Sequence, residues 1–338
     1  MTSPEVGSLF GALVARALDE AWRDQGEPDP FVVVEAGAGR GRLASDVLRA
    51  GPACAPALRY LTVERSAALR EAQHELLALE PFEDALGPAE HDEPDEAPRP
   101  VPGVGPIVGA LPELPAVPLR HGVVLANELL DNLPFRIVER GDAGWLEVRV
   151  GVDDGDRFVE VVLPAPAELA AEADRVAAGA AIPPGARLPV PGATDDWLVA
   201  AGGTLTSGRL ILVDYADTAA SMAARGQREW LRTYREHHRG TDPLVDPGAQ
   251  DITCDVPVEH LVHAAGRNRF RLVAAPTQRE WLQALGVDEL VADARRRWDE
   301  RAAVGDLEAL AARSWVSEAA ALTDPTGLGG HAVFIFDR

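Results

Sequence analysis

Apolar and polar positions follow distinct rhythms along this chain, and each rhythm predicts a different element. Phe10, Leu13, Val14, Ala17 and Leu18 recur at helical spacing. They give one buried face behind a helix start at Thr2-Ser3-Pro4-Glu5, where Thr2 and Glu5 stand at capping-box spacing. Phe31 to Val34 is a short β-branched run that stops at Glu35 and a cluster of glycines, and Leu43 to Leu48 then reads as a helix. The order of strand, turn and helix returns as Tyr60 to Val63, Glu64, and a helix over Ser66 to Leu79. Ile107-Val108 and Gly122 to Ala126 are further apolar strands, the second running into Asn127-Glu128-Leu129-Leu130-Asp131.

The period then drops to two at Phe135 to Val138, Trp145 to Val150 and Phe158 to Leu163, as expected of an antiparallel ribbon leaving a parallel sheet. Helical patterns cover Ala165 to Ala178 and Asp195 to Leu205, and a strand from Arg209 to Val213 ends in Asp214-Tyr215. A helix over Val258 to Ala265, a strand over Phe270 to Val273, helical stretches to Ala321 and a strand over Ala332 to Phe336 close the chain. Two stretches lack such rhythm. Residues 81–106, with Glu90, Asp92, Glu93, Asp95 and Glu96, have the composition of an exposed, disordered loop. Thr233 to Asp255, with His237, His238, Pro243, Pro247 and Gly248, is long enough to serve as a lid or substrate loop. The pattern divides the chain into 1–134 and 208–338, two halves of an α/β core, around a ribbon and helix insertion over 135–207.

The totals narrow the chemistry. A net charge of -22 disfavours nucleic acid and anionic membrane and favours a basic protein segment or a cationic small molecule. All 32 basic residues are arginine, which excludes a Walker-type phosphate loop and any lysine Schiff base. Cys54 and Cys254 are too few for a disulfide framework or a structural zinc site, so a reducing compartment, the cytoplasm, is expected. Met1 to Trp22 carries Glu5, Arg16, Asp19 and Glu20 and does not read as a signal peptide. No apolar stretch reaches the roughly 18 residues of a membrane span.

Glu35-Ala36-Gly37-Ala38-Gly39-Arg40-Gly41 lies where a first strand turns into a helix, the place where glycine lets backbone approach a ligand closely. A dinucleotide fingerprint would need Gly or Ala where Arg42 stands, so an NAD reading loses support. What remains, E-x-G-x-G-x-G, is the pattern of S-adenosylmethionine (SAM) methyltransferases. Glu64 ends the second strand 23 residues past Gly41, where an acid can accept hydrogen bonds from the ribose hydroxyls of an adenosyl ligand. The expected cofactor residues are therefore Glu35, Gly37, Gly39, Gly41 and Glu64.

Thr2-Ser3-Pro4-Glu5 with Phe10-Gly11, the Glu35 to Gly41 turn, Ala126-Asn127-Glu128-Leu129-Leu130-Asp131-Asn132-Leu133-Pro134, Val213-Asp214-Tyr215, Arg232-Thr233-Tyr234 and Pro247-Gly248-Ala249-Gln250-Asp251-Ile252-Thr253 together resemble the MidA family. That family includes the mitochondrial complex I assembly methyltransferase, which methylates an arginine of a complex I subunit. The resemblance implies a SAM-dependent methyltransferase with a Rossmann-like, class I core: seven strands, mostly parallel, with helical and ribbon insertions. In relatives a further segment precedes the T-S-P-E run, so a longer natural N-terminus is an expectation.

Methyl transfer from a sulfonium is an in-line displacement that requires no metal; the protein aligns, desolvates and removes a proton. Asn127, Glu128 and Asp131 follow a strand at the sheet's carboxyl edge and are the catalytic candidates. Glu128 and Asp131, spaced i, i+3, would share one face of a helical turn and could hold a guanidinium; helix capping is the competing reading. Asp214 and Tyr215 are second candidates. His237 and His238 could act as a base or be merely exposed, and His260 with His263 has no third metal ligand. Asp251 and Thr253 belong to the loop that would gate a substrate. The acceptor is a protein arginine or, alternatively, a small molecule methylated on O or N; a SAM-binding assembly factor without catalysis is the rival from another class. Neither the acceptor nor the oligomeric state is encoded legibly.

Overall fold

The structure, a computed structural model, describes every residue except Met1, 91–98, Val117, Glu236, His237, Thr241 and 303–305. Asp92, Glu93, Asp95, Glu96 and His237 thus lie outside the described residues. The chain forms two compact units. Unit 1 comprises Met1–Asn127, Ala201–Val213 and Arg271–Arg338, and unit 2 comprises Glu128–Ala200 and Asp214–Phe270. This division departs from the one drawn at 134 and 207, because 214–270 packs with the ribbon.

Unit 1 is built on a seven-stranded sheet in the order Arg271–Ala274, Ala332–Asp337, Leu205–Asp214, Leu119–Asn127, Phe31–Ala36, Leu58–Val63, Ile107–Leu111. The five strands from Leu205–Asp214 to Ile107–Leu111 pair in parallel. Arg271–Ala274 runs antiparallel to Ala332–Asp337, and Gly208 and Arg338 exchange both backbone hydrogen bonds, at 3.2 and 3.0 Å, as an antiparallel pair does. Phe31–Ala36 and Leu58–Val63 are buried at every position. A strand covered on both faces can therefore be a continuous apolar run, as Phe31–Val34 is, whereas the buried Arg59 hides the start of Leu58–Val63, which the sequence shows only from Tyr60.

The expected N-terminal helix is two helices, Ser3–Val6 and Ser8–Asp24. The chain breaks at Gly7, where a Cβ would lie 2.1 Å from the Glu318 carboxyl carbon. That carboxylate accepts the Leu9 N–H at 2.9 Å and so satisfies the start of the second helix. The helix expected over Ser66 to Leu79 is shorter: Ala67–Ala72, capped by Ser66, tightens into a 3-10 turn at Gln73–Glu75. Gln73 is fully buried and is drawn inward by two hydrogen bonds, to Thr62 and Gly39. The flanks of the acidic stretch are also structured, with a 3-10 turn at Phe82–Asp84 and a paired Ala89–Glu90 and Arg99–Pro100.

Unit 2 holds a four-stranded antiparallel sheet, ordered Arg187–Val190, Arg136–Arg140, Trp145–Val152, Phe158–Pro164. Three of these are the expected ribbon. The fourth, Arg187–Val190, carries Pro189, a residue confined to edges, and its four residues gave too little pattern to find. The segment read as a long loop from Thr233 is corrected: Leu231–Arg235 pairs with His238–Arg239 and with Asp251–Cys254. Pro243, Pro247 and Gly248 mask this pattern because they occupy the connection between the strands. Val138, Trp145, Leu169, Val176, Leu188 and Trp230 form the core of the unit. Among the described residues no helix is long and apolar enough to cross a membrane.

Helix Ser8–Asp24 rests on helix Arg42–Ala50 at Gly11, where a Cβ would come within 2.4 Å of Asp46 Cβ and 2.9 Å of its backbone carbon. Gly11→Ala should therefore push the two helices apart and destabilise the chain by about 1–3 kcal/mol, the usual range for overpacking. Thermal unfolding checks this, and an unchanged Tm would contradict the close contact.

Candidate functional site

The first half of the site is the turn after strand Phe31–Ala36. Gly37, Gly39 and Gly41 all adopt left-handed φ, at +74°, +53° and +77°, a conformation costly for residues with a Cβ. Two successive N–H groups, of Gly37 and Ala38, donate to the Val63 carbonyl at 2.9 and 3.0 Å, fastening the turn to the end of the second strand. Gln73 Nε2 donates to the Gly39 carbonyl at 2.8 Å. At Gly41 a Cβ would meet Leu77 Cδ1 at 2.7 Å, whereas at Gly39 nothing lies within 4 Å of that position. Gly41 is thus a packing glycine, and Gly39 faces open space.

Glu64 is half-buried at the end of the second strand. Its Oε2 accepts the Gly39 N–H at 3.1 Å and its Oε1 accepts the Ser66 N–H at 2.8 Å. The structure thus brings together Gly37, Gly39, Gly41 and Glu64. This arrangement fits an adenosyl ligand: a carboxylate at the strand end beside a glycine with open space where a Cβ would stand.

Glu35 is placed differently. It is buried inside unit 1, accepts a hydrogen bond from the Tyr60 hydroxyl at 2.7 Å and is also bonded by the Ala44 backbone. Burial raises its pKa to about 7, against the lowering effect of Tyr60 and Ala44. Its geometry is that of a brace joining the first strand, the second strand and the helix after the turn.

The second set of residues lies in unit 2. Asn127, half-buried, ends strand Leu119–Asn127, the last residue of unit 1 before the chain enters unit 2. Glu128 is half-buried with φ +51°, a left-handed backbone unusual for a residue with a long side chain. The expected helical turn carrying Glu128 and Asp131 on one face is therefore not formed. The helical segment is a 3-10 turn, Leu130–Asn132, that begins after the left-handed residue.

Asp214 caps this turn. Its Oδ2 accepts the N–H of Leu130 at 2.8 Å and of Asp131 at 3.4 Å, while Oδ1 accepts the Tyr215 N–H at 2.9 Å. Asp131 and Asp214 are 3% and 1% exposed. Burial pushes the Asp214 carboxyl well above the ordinary range, and the negative charge of Asp131 pushes it further. Burial also raises Asp131, to about 6, opposed by Arg232 and by a hydrogen bond with Asp214. Two adjacent buried carboxyls resist holding two charges, and burial is the largest cause of both shifts.

Sequence reasoning passed over the basic side of this cluster. Arg232 lies 4.4 Å over the Tyr215 ring and donates to Asp255 through Nη2. Arg225 Nη2 bonds the same Asp255 at 3.1 Å and Asp217 at 2.6 Å. Arg232 stood inside a motif already recognised, but its pairing with Asp255 depends on the antiparallel register of Leu231–Arg235 with Asp251–Cys254, which the loop reading hid. His260 is buried against Asp195 at 2.8 Å, and among the described residues no group of His, Cys, Asp and Glu could hold a metal ion. Two recesses in unit 2, about 700 and 350 Å3, are lined by Leu231, with Thr233 in the larger, and by neither Asp131 nor Arg232.

Residues 13–274 match a family described as "Putative S-adenosyl-L-methionine-dependent methyltransferase", and the chain belongs to that family. Among curated proteins it is 29% identical over 296 residues to the mitochondrial protein arginine methyltransferase NDUFAF7 of Rattus norvegicus. To the protein of that name from Homo sapiens it is 27% identical over 304 residues. The matches cover 85% of this chain but 64% and 63% of those relatives, so the chain spans under two thirds of their length. A crystal structure of a "likely methyl transferase" from Burkholderia thailandensis, bound to S-adenosyl-homocysteine, superposes with TM-score 0.77 at 28% identity, covering 100% of this chain and 78% of that one. These likenesses establish the class I SAM-dependent methyltransferase fold.

Because the folded pKa of Glu35 is raised, stability is greatest where Glu35 is protonated in both states and is lost as pH rises from 4.5 to about 7. The loss should reach about 3 kcal/mol. Glu35→Gln should flatten this dependence. Denaturant titrations at about pH 5 and about pH 8 measure it, and an equal slope in both proteins would contradict a buried, proton-holding Glu35.

Proposed function

We propose that this member of the SAM-dependent methyltransferase family transfers a methyl group to an arginine side chain of an acceptor protein. The carrying observation is the strained Glu128, a half-buried acid held in left-handed backbone beside the capped Asp131 and Asp214 pair. Strain of this kind costs about 1–3 kcal/mol and collects at functional sites. The names of the curated relatives, protein arginine methyltransferases, support the choice of acceptor. The net charge of -22 adds attraction for a basic segment.

SAM supplies an electrophilic methyl group on a sulfonium that is already an activated leaving group. The chain's residues do the rest. Gly37, Gly39 and Gly41 would shape the backbone against the cofactor, and the Glu64 carboxylate would accept hydrogen bonds from its ribose hydroxyls. Glu35 acts from beneath as a brace for that turn. Glu128 holds the acceptor guanidinium, a planar cation suited to a carboxylate, and Asn127 orients the Glu128 backbone. As nitrogen gains the methyl and the carbon–sulfur bond breaks, Asp131 accepts the proton that nitrogen gives up. Free, buried Cys54 and Cys254 fit a reducing compartment, and the cytoplasm is the proposed site of action.

Labelled SAM incubated with the purified protein and a lysate of its own host tests the acceptor. Label should enter protein and be recovered as methylarginine after hydrolysis; label confined to small metabolites would replace a protein acceptor with a small molecule. Glu128→Gln should lower turnover by about 100-fold, within the range for a group engaged at the reacting atoms, while SAM affinity changes less than about twofold, because the residue holds the acceptor alone. Unchanged biological function without turnover would identify a docking factor instead.

A further inference from the structure

The Arg232 cluster has features that a purely structural ion pair does not require. Arg225 and Arg232 each hold Asp255 through Nη2, and the Nε of each is buried without a hydrogen-bond partner among the described residues. A pair selected for stability would use the guanidinium fork on both sides, since a buried donor left unpaired costs about 1–3 kcal/mol. The end-on arrangement instead turns the flat face of Arg232 onto Tyr215, at 4.4 Å. Asp255, Arg225 and Asp217 anchor it from behind. Tyr215 follows Asp214 directly, and its carbonyl accepts the Val256 N–H at 2.8 Å, next to Asp255. One side chain thereby links the segment of the buried Asp131 and Asp214 to strands Leu231–Arg235 and Asp251–Cys254.

We propose that Arg232 is a positioning residue for methyl transfer: its charge keeps Asp131 ready to accept the proton and its stacking fixes the segment that carries Asp214 and Tyr215. The proposal rests on the reading of Asp131 as the proton acceptor. The charged and titratable groups that act on Asp131 and its partner are Arg232, which favours the ionised form, Asp214, whose hydrogen bond to Asp131 also favours it, and the acidic side chains of Asp255 and Glu128, which disfavour it; burial pushes Tyr215 and Cys254 toward their neutral forms. Arg232 is the sole cation among these, so its removal has a definite sign.

The test is the pH profile of methyl transfer by the full chain, with SAM affinity measured alongside. Removing the cation beside a carboxylate makes that carboxylate easier to protonate, so Arg232→Met should move the acidic limb of kcat upward by about one pH unit, with SAM affinity unchanged. Arg232→Lys keeps the charge and should return the limb close to its original position. If Arg232→Met does not fold, Arg232→Gln carries the same expectation. An activity loss equal at every pH, with the limb unmoved, would overturn the proposal and leave Arg232 a structural residue. Asp131→Asn separates the two claims: if it retains the wild-type profile, the proton-acceptor reading fails. If it abolishes the acidic limb while Arg232→Met leaves that limb in place, only the role of Arg232 fails.

Discussion

The bond from the Gly39 N–H to the Glu64 carboxylate, 3.1 Å long, joins the two pieces of chain that form the proposed adenosyl site. It can form only if the turn after the first strand adopts left-handed backbone at Gly37, Gly39 and Gly41, and only if the second strand ends in register with it. Parallel pairing of Glu35 with Thr62 and of Ala36 with Val63 provides that register. The Val63 carbonyl then receives two N–H groups of the turn, and Gln73 holds it from the helix side. Much of unit 1 serves this geometry: Glu35 ties strand to strand through Tyr60, and Gly11 lets the N-terminal helix press against the helix that leaves the turn.

A different constraint governs the acidic residues of unit 2. Three aspartates, Asp131, Asp214 and Asp255, are each less than a tenth exposed. Such burial is tolerable only if charge is removed or matched. Both tendencies are present, since burial pushes the Asp214 carboxyl toward its neutral form and Asp255 is matched by two arginines. Asp131 lies between these regimes. It is buried enough for its pKa to rise and sits close enough to Arg232 to remain ionisable, which is the condition a group needs to take up a proton near neutral pH.

Legibility in the sequence followed burial and locality. The doubly buried strand Phe31–Ala36 announces itself as an apolar run, Leu58–Val63 does so only past Arg59, and the glycines between strand and helix announce a turn that side chains would obstruct. Glu64 stands out because its distance from that turn is set by the helix and strand between them, and the structure brings it to Gly39. The failures share a cause. Strand Arg187–Val190 is short and contains a proline, and the sheet formed by Leu231–Arg235 and Asp251–Cys254 is interrupted by a connection rich in Pro and Gly; their pairing comes from long-range packing. Glu128 and Asp131 look helical from spacing alone, but the left-handed backbone at Glu128 cancels that reading. The reversal of Glu35, from a candidate ligand contact to a buried brace, depends on Tyr60, and only the register of the two strands brings that hydroxyl to it.

Methyl transfer as proposed requires SAM to bind at the glycine turn and Glu64. Calorimetric titration of the full chain with SAM and, separately, with NAD addresses this without requiring the acceptor. Saturable SAM binding that weakens at least about tenfold (about 1.4 kcal/mol) in Glu64→Ala, with no heat from NAD, is the predicted result. Binding of NAD in the absence of SAM binding, or SAM affinity indifferent to Glu64→Ala, would contradict it.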